Sequence, residues 1–336
     1  MEKISFIIPA HNAEKTLEWT VESVRRLDVD YEILLVENGS TDKTEKIVSE
    51  LSEKYENVRA LNSEKGVSKA RNKGIQEAEG KWIVFLDADD VCLKEIEKLM
   101  IQITSLNDVD LVMGSYMKDQ TPIIHDYAAL NTVAECDDEL KVWMLSRPTL
   151  RMQAWAKIYR TDFLKDKKIF FNEELSYSED SEFVIRVLEK AGKVFVSDIP
   201  IYQYKTGTPS VMRSFVDGRI EAYIKALEAA EKDVEEESPL VKRAFADYVS
   251  AHINIIGVHD IFSCDIRESW GDRCRKMRQC LEEGVIQRAL LRIALSSDIQ
   301  NLPVLLCKYR LTAIGGMIYY LRSLQNRRRY KKGKNR

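Results

Sequence analysis

The chain has none of the common phosphate loops. No strand-like segment leads into GxGxxG or GxxxxGKS/T, which removes dinucleotide dehydrogenases and P-loop ATPases. Its six cysteines, Cys92, Cys136, Cys264, Cys274, Cys280 and Cys307, contain no CxxC pair, and the four histidines add no finger-like spacing to them. A disulfide frame or a zinc site is therefore not expected, and reduced thiols suit a cytoplasmic protein. Charge of one sign is also missing: 51 basic against 54 acidic residues leave a formal charge of -3, so nucleic acid is not an expected partner. No apolar run reaches the roughly twenty residues that span a bilayer. The longest late one, Val304–Leu321, is interrupted by Lys308 and Arg310. Met1-Glu2-Lys3 leads straight into a strand-like segment, so no signal peptide is expected.

What remains is a globular composition. With 336 residues, 45% of them apolar, the chain can build one large core or a large domain with an appendage. Ile4–Ile8, Glu32–Val36, Val58–Leu61, Trp82–Leu86 and Asp110–Met113 read as strands, and the nearly continuous apolar character of the first and fourth makes them central strands. Leu17, Val21, Val24 and Leu27, then Ile47, Val48, Leu51 and Tyr55, recur at helical spacing, with Ser40 or Thr41 as cap of the second helix. The expected fold is α/β and Rossmann-like, a mostly parallel sheet flanked by helices whose ligands bind beyond the carboxyl ends of the strands. A helix at Glu139–Leu145, a short element at Gln153–Arg160, a helix at Asp180–Ala191 and a strand-like Val194–Ile201 follow. Later segments all read as helices: Phe215–Glu237, Pro239–Phe262, Glu268–Glu283, Ile286–Leu295 and Leu302–Leu324. The expected division is a first domain of residues 1–213, a helical C-terminal domain of 214–325 and a basic tail of 326–336.

Polar residues cluster where the strands end. Asp87, Asp89 and Asp90 follow the fourth strand, where like charges repel and carboxylates gain nothing from packing. A divalent cation resolves that conflict, and a few carboxylates with room for phosphate oxygens suit Mg2+ or Mn2+ on a diphosphate. The plainer alternative is that they cap a helix beginning near Leu93. Pro9-Ala10-His11-Asn12 ends the first strand and Glu37-Asn38-Gly39-Ser40-Thr41-Asp42 the second, so their side chains can converge on one ligand, although each alone is an ordinary turn. Gly66–Gly74 (GVSKARNKG) offers basic and amide donors near a helix start, for a pyrophosphate or a pyrimidine ring, or else as a solvated helix face.

In this order, the segments resemble family-2 glycosyltransferases of the GT-A fold, above all bacterial enzymes that build surface or capsular polysaccharides. The resemblance runs from Lys3 to Arg213 through ISFIIPAHNAEKTL, EILLVENGSTDKT, GVSKARNKGIQEAEGKWIVFLDADD, WAKIYRTDFL and YSEDSEFVIRVL. It implies an inverting, metal-dependent, hexosyltransferase-like enzyme. The implied donor is a nucleotide sugar, with a UDP-sugar expected, and the implied acceptor a hydroxyl of a saccharide or lipid-linked saccharide. The resemblance further implies donor binding by Pro9, His11, Asn12, Glu37, Asn38, Arg71, Asp87 and Asp89, with Asp89 and Asp87 holding Mn2+ or Mg2+. Where the family has Asp-Asp or Asp-Asn before Gly-Ser, this chain has Glu37-Asn38, and glutamate is a methylene longer. Asp180 matches the family's general base, with Glu179 beside it in support; capping of the helix by Ser178 and Glu179 is the plainer alternative.

Trp155 is either a platform for a sugar face or a core residue, and Lys157 supports the acceptor site or the helix carrying Asp180. Tyr202–Arg213 reads as a lid in which Lys205 and Arg213 meet the diphosphate. The last fifteen residues hold Arg322, Arg327, Arg328, Arg329, Lys331, Lys332, Lys334 and Arg336 and no acid, directly after Ile314, Met317, Ile318, Tyr319, Leu321 and Leu324. An amphipathic helix with a polybasic end suits an anionic inner leaflet and a peripheral location there, against a solvated tail or an RNA contact. Two other functions compete. A sugar nucleotidyltransferase would carry a Gly-rich basic loop where Pro9–Asn12 stand, and an assembly module with a degenerate nucleotide-sugar site would not need both Asp89 and Asp180. The oligomeric state stays open.

Overall fold

The computed structural model describes residues 2–104, 106, 108–206, 218–293 and 301–334. Its elements begin with β1 (Ile4–Ala10), α1 (Leu17–Arg25), β2 (Tyr31–Glu37), α2 (Thr44–Lys54), β3 (Val58–Asn62), α3 (Val67–Glu77) and β4 (Trp82–Phe85). Next come β5 (Val91–Cys92), α4 (Ile96–Thr104), β6 (Leu111–Lys118), β7 (Thr121–Ile123), β8 (Thr132–Glu135), α5 (Asp138–Ser146) and α6 (Pro148–Arg151). They are followed by β9 (Lys157–Arg160), α7 (Thr161–Asp166), α8 (Glu179–Lys190) and β10 (Lys193–Tyr204). The remainder is α9 (Arg219–Asp233), α10 (Pro239–Ile256), a short π-helix at Gly257–Ile261, α11 (Trp270–Leu281), α12 (Gly284–Arg292), α13 (Leu302–Lys308) and α14 (Thr312–Lys334). Two compact units result, one of Met1–Asp137 with Gln153–Thr208, the other of Asp138–Met152 with Pro209–Arg336.

The first unit is built on a ten-stranded sheet in the order β3-β2-β1-β4-β9-β6-β10-β5, with β7 on β6 and β8 on β10. β1 lies parallel between β2 and β4, and all seven of its residues are buried, as its apolar run requires of a central strand. The chain steps outward from β1 to β2 and β3, then returns to β4 on the other side of β1. That reversal opens a crevice at the carboxyl ends of β1 and β4. Pro9 is tolerated in β1 because Ile7 O accepts from Leu86 N on the β4 side at 3.0 Å; by alternation Pro9 faces the same side, past the end of β4. α3 lies directly on β1: a Cβ at Gly74 would sit 2.3 Å from Ile7 Cγ2, so only glycine permits this approach.

Several expectations are corrected. The sheet is mixed, because Lys157–Arg160 of the short Gln153–Arg160 element forms β9, antiparallel to both β4 and β6. α2 starts at Thr44, not after Ser40 or Thr41, and its first amide is met by Asp42 Oδ1, which accepts from Thr44 N at 3.0 Å. The helix expected near Leu93 starts at Ile96 as α4, with β5 between it and the acids. Leu302–Leu324 is two helices rather than one. Arg310 takes φ 64°, Arg310 N donates to Cys307 O at 3.0 Å and Leu311 N to Leu306 O at 2.8 Å, the paired bonds of a Schellman ending. The boundary expected at residue 213 is incomplete, since residues 138–152 group with the C-terminal helices, where α5 packs on α10. Residues 326–334 form no separate tail, because α14 continues to Lys334.

Candidate active site

The loops after β1 and β2 are laced together. Gly39 (φ 80°) and Asn12 (φ 50°) adopt left-handed backbone, which glycine and asparagine tolerate best. Asn12 Oδ1 accepts from the Thr41 amide at 2.8 Å and Ser40 Oγ from the Asn12 amide at 3.1 Å. Thr44 Oγ1 accepts from the Ala13 amide at 2.7 Å. Glu37 turns back on its own loop, Oε1 accepting from the Ser40 amide at 2.6 Å and Oε2 from the Gly39 amide at 3.0 Å. Burial alone would raise its pKa, but those amides outweigh burial and hold the carboxyl below its ordinary value. The longer glutamate thus shapes the turn. Asn38 is buried, its amide donating to Ala10 O at 3.1 Å, and Pro9 is buried in β1. His11 and Asn12 are exposed side by side, Nε2 3.3 Å from Nδ2.

Arg71, on α3 and only 3% exposed, joins residues far apart in sequence. Its Nη2 donates to Asp87 Oδ1 at 3.1 Å, and Nη1 donates to Glu179 Oε1 at 3.4 Å and to Asp180 Oδ1. The guanidinium also lies 5.1 Å over the Phe171 ring, which stacks on Phe183 at 3.9 Å. Burial would lower the Arg71 pKa, but the three acids outweigh it and raise it. The carboxyls of Asp87 and Glu179 are pushed up, first by burial and then by neighbouring acids, with Arg71 pulling the other way. Asp180 Oδ2 accepts from the Ala154 amide at 3.4 Å. Ser178 makes no side-chain cap hydrogen bond on α8. Asn72, next on α3, clamps the neighbouring loop: its Nδ2 donates to Phe171 O and its Oδ1 accepts from Phe171 N, at 2.9 and 2.7 Å.

Trp155 is a core residue. It is 8% exposed, stacks on Tyr202 at 4.5 Å and on Tyr204 at 5.7 Å, and meets Tyr116 edge-on. At that exposure little of the indole is open to a sugar. Lys157 is buried, Nζ donating to Gln153 O at 2.6 Å; burial lowers its pKa to about 7 although Asp180 pulls it up. Lys205 Nζ sits 4.1 Å over the Trp19 ring. Arg213 and the rest of the expected lid from residue 207 lie outside the described residues.

Asp90 parts company with its neighbours. It is 1% exposed, accepting from Tyr202 Oη at 2.5 Å and from the Lys205 amide at 2.8 Å. Burial first, then Asp87, push its pKa up to about 8. Of the expected cluster of three acids, Asp90 is thus turned inward, while Asp87 and Asp89 are part-buried. Among the described residues no group of three or more His, Cys, Asp or Glu side chains gathers to hold a metal. Two carboxylates fit a cation that takes its other ligands from phosphates and water, and Asp87, with a third of its side chain exposed and its charge disfavoured by burial, suits such a neighbour. Thr20 is a structural partner that motif reading missed, since no pattern in the sequence marks it; Asn72 and Tyr202 lay in segments read as ligand-facing but serve the scaffold.

A sheet that reverses direction at β1 and β4, with acids collected at that reversal and a helical C-terminal region, is the GT-A architecture. Residues 5–168 match the model described as glycosyl transferase family 2. It is 24% identical over 324 residues to the uncharacterized glycosyltransferase EpsJ of Bacillus subtilis strain 168, covering 92% of this chain and 93% of EpsJ. It is 29% identical over 228 residues to the poly(ribitol-phosphate) beta-N-acetylglucosaminyltransferase TarS of Staphylococcus aureus strain MW2, 61% of this chain but 36% of TarS. The crystal structure of S. aureus TarS 1-349 with UDP-GlcNAc superposes with a TM-score of 0.67 at 21% identity, covering 96% and 92% of the two chains. The mannosyltransferase PcManGT of Pyrobaculum calidifontis, with GDP-Man and Mn2+, gives 0.53 at 14% identity over 97% and 88%.

Proposed function

We propose that this glycosyltransferase moves a sugar from a nucleotide sugar, a UDP-sugar, to a saccharide hydroxyl with inversion, in the synthesis of a bacterial cell-surface polymer. The observation that carries this is the Arg71 junction, which holds Asp87 and Asp180 at one crevice on the carboxyl edge of the sheet. In this reading His11, Asn12 and the Glu37–Ser40 loop border the nucleotide. Asp180 removes the proton from the acceptor hydroxyl as that oxygen attacks the anomeric carbon opposite the leaving diphosphate. Asp89 and Asp87 would hold Mn2+ or Mg2+, which when bound neutralises charge on the departing diphosphate. TarS is named for N-acetylglucosamine transfer to poly(ribitol phosphate), and PcManGT was solved with a nucleotide sugar and Mn2+; both favour this assignment.

Nucleotide release from a panel of nucleotide sugars, with acceptor and Mn2+, tests it. Asp180→Asn should lower acceptor-dependent release by about 10²–10⁴-fold while donor binding persists. Asp89→Asn should abolish Mn2+-dependent release, and undiminished turnover in either variant would overturn that residue's role. Glu179 is the second candidate base, because burial pushes its carboxyl toward the pH at which a base is most effective. A loss confined to Glu179→Gln would transfer the role to it.

A peripheral membrane location is part of the same proposal. No helix among the described residues is long and apolar enough to cross a membrane. α14 instead exposes Ile314, Met317 and Leu321 along one face, opposite buried Thr312, Tyr319 and Ser323, and then runs into the basic end of the chain. Each basic residue near an anionic surface contributes about 1 kcal/mol. Truncation after Leu324 should abolish sedimentation with acidic liposomes, and retained sedimentation would refute the docking role.

A further inference from the structure

We infer that Asp90, Tyr202 and Thr20 are positioning residues that fix the Asp87-Ala88-Asp89 turn for a metal-bound diphosphate without touching either. The inference rests on the donor-site reading above. It starts from the chemistry of a short acidic turn: Asp87 and Asp89 repel each other, β4 ends at Phe85 and the last bond to β1 comes from the Leu86 amide, so strand pairing does not hold residues 87–89. Something else must fix the backbone between them.

The structure supplies two independent clamps. Thr20 on α1, fully buried, places Oγ1 3.0 Å from Ala88 O and 2.9 Å from Asp90 O, so the single hydroxyl proton is shared between the two carbonyls that flank Asp89. From the other side, Tyr202 Oη accepts from the Asp87 amide at 3.4 Å and donates to Asp90 Oδ2 at 2.5 Å. Asp90 Oδ1 also accepts from the Lys205 amide at 2.8 Å, which ties the turn to the end of β10. Tyr202 is itself immobilised: it pairs with Cys92 in β5 and stacks on Trp155 at 4.5 Å. The acid that cannot reach a ligand is thus the anchor for the two that can, an arrangement in which outer partners set the geometry of inner ligands.

Tyr202→Phe and Thr20→Val each remove one hydroxyl at nearly constant volume, and UDP binding by calorimetry with and without Mn2+ reads the effect apart from turnover. Metal-free UDP affinity should stay at the parental value, since the nucleotide loops are untouched. Affinity in saturating Mn2+ should fall by about tenfold or more, the usual effect of losing such an outer partner. Asp90→Asn, which keeps the shape but weakens acceptance from Tyr202 and Lys205, should do the same. An equal loss with and without Mn2+ would reveal a general structural role and overturn the proposal, as would unchanged Mn2+-dependent binding in folded Tyr202→Phe and Thr20→Val. Asp89→Asn is the control: if it too leaves Mn2+-dependent UDP binding intact, the donor-site reading fails. If it alone abolishes that binding, the reading stands and the positioning inference falls.

Discussion

Replacing Arg71 by Met keeps most of the buried stem and removes the charge that faces Asp87, Glu179 and Asp180. Removing one member of a buried ionic cluster typically costs about 3–5 kcal/mol, because the remaining charges stay buried without compensation. That is a large part of a domain's usual stability of about 5–15 kcal/mol, so the variant should fold but unfold at much lower urea. The loss should also depend on pH. Burial already pushes the Asp87 and Glu179 carboxyls up, and losing Arg71 pushes them further, so both bind protons more tightly in the folded variant than in its unfolded chain. Raised acid pKa values favour the fold at low pH and disfavour it as pH rises through them. The deficit relative to the parent, measured by urea denaturation, should therefore be largest near pH 8 and shrink by about 1–2 kcal/mol near pH 5.5. A deficit under about 1 kcal/mol near pH 8, or one that grows on acidification, would refute the junction as the organising charge of the site.

Other outcomes follow from the same geometry. Gly74→Ala should destabilise by about 1–3 kcal/mol or more in thermal unfolding, since its methyl must displace Ile7. Trp155→Ala should lose about 3–5 kcal/mol of stability as a core truncation; a changed acceptor KM with unaltered stability would restore the platform role. With Lys157 lowered to about 7 in the fold, the unfolded chain binds that proton more tightly, so the parent should gain stability from about pH 7 upward relative to Lys157→Met, by at most about 1.4 kcal/mol per unit. Parallel urea midpoints across that range would exclude a buried, neutralised lysine.

The strands that carry the site were legible because β1 and β4 are apolar throughout, and the acids were legible because they stand where such strands stop. β9 was not: four residues, Lys157–Arg160, show no usable period, and strand direction leaves no mark in composition. The break between α13 and α14 was hidden because an arginine, rather than glycine, takes the left-handed position. Asp89 and Asp90 look equivalent in sequence; only the reach of Tyr202 from a distant strand turns one inward. For the same reason Arg71 read as a phosphate donor, while its three acids became visible only when α3 and α8 were brought together.

The placement of α5 and α6 with the C-terminal helices has a consequence for biosynthesis. The polypeptide passes between the two units three times, so no single cut separates them. A product ending near residue 213 would keep α5, with Leu140, Met144 and Leu145 made to be covered, and would lack α10, on which it packs. On the ribosome, α5 emerges well before α10 and must wait for it, exposing apolar surface that invites chaperone binding or misassembly. Fragment expression and chimera construction with related enzymes therefore succeed only if residues 138–152 are exchanged together with the C-terminal helices.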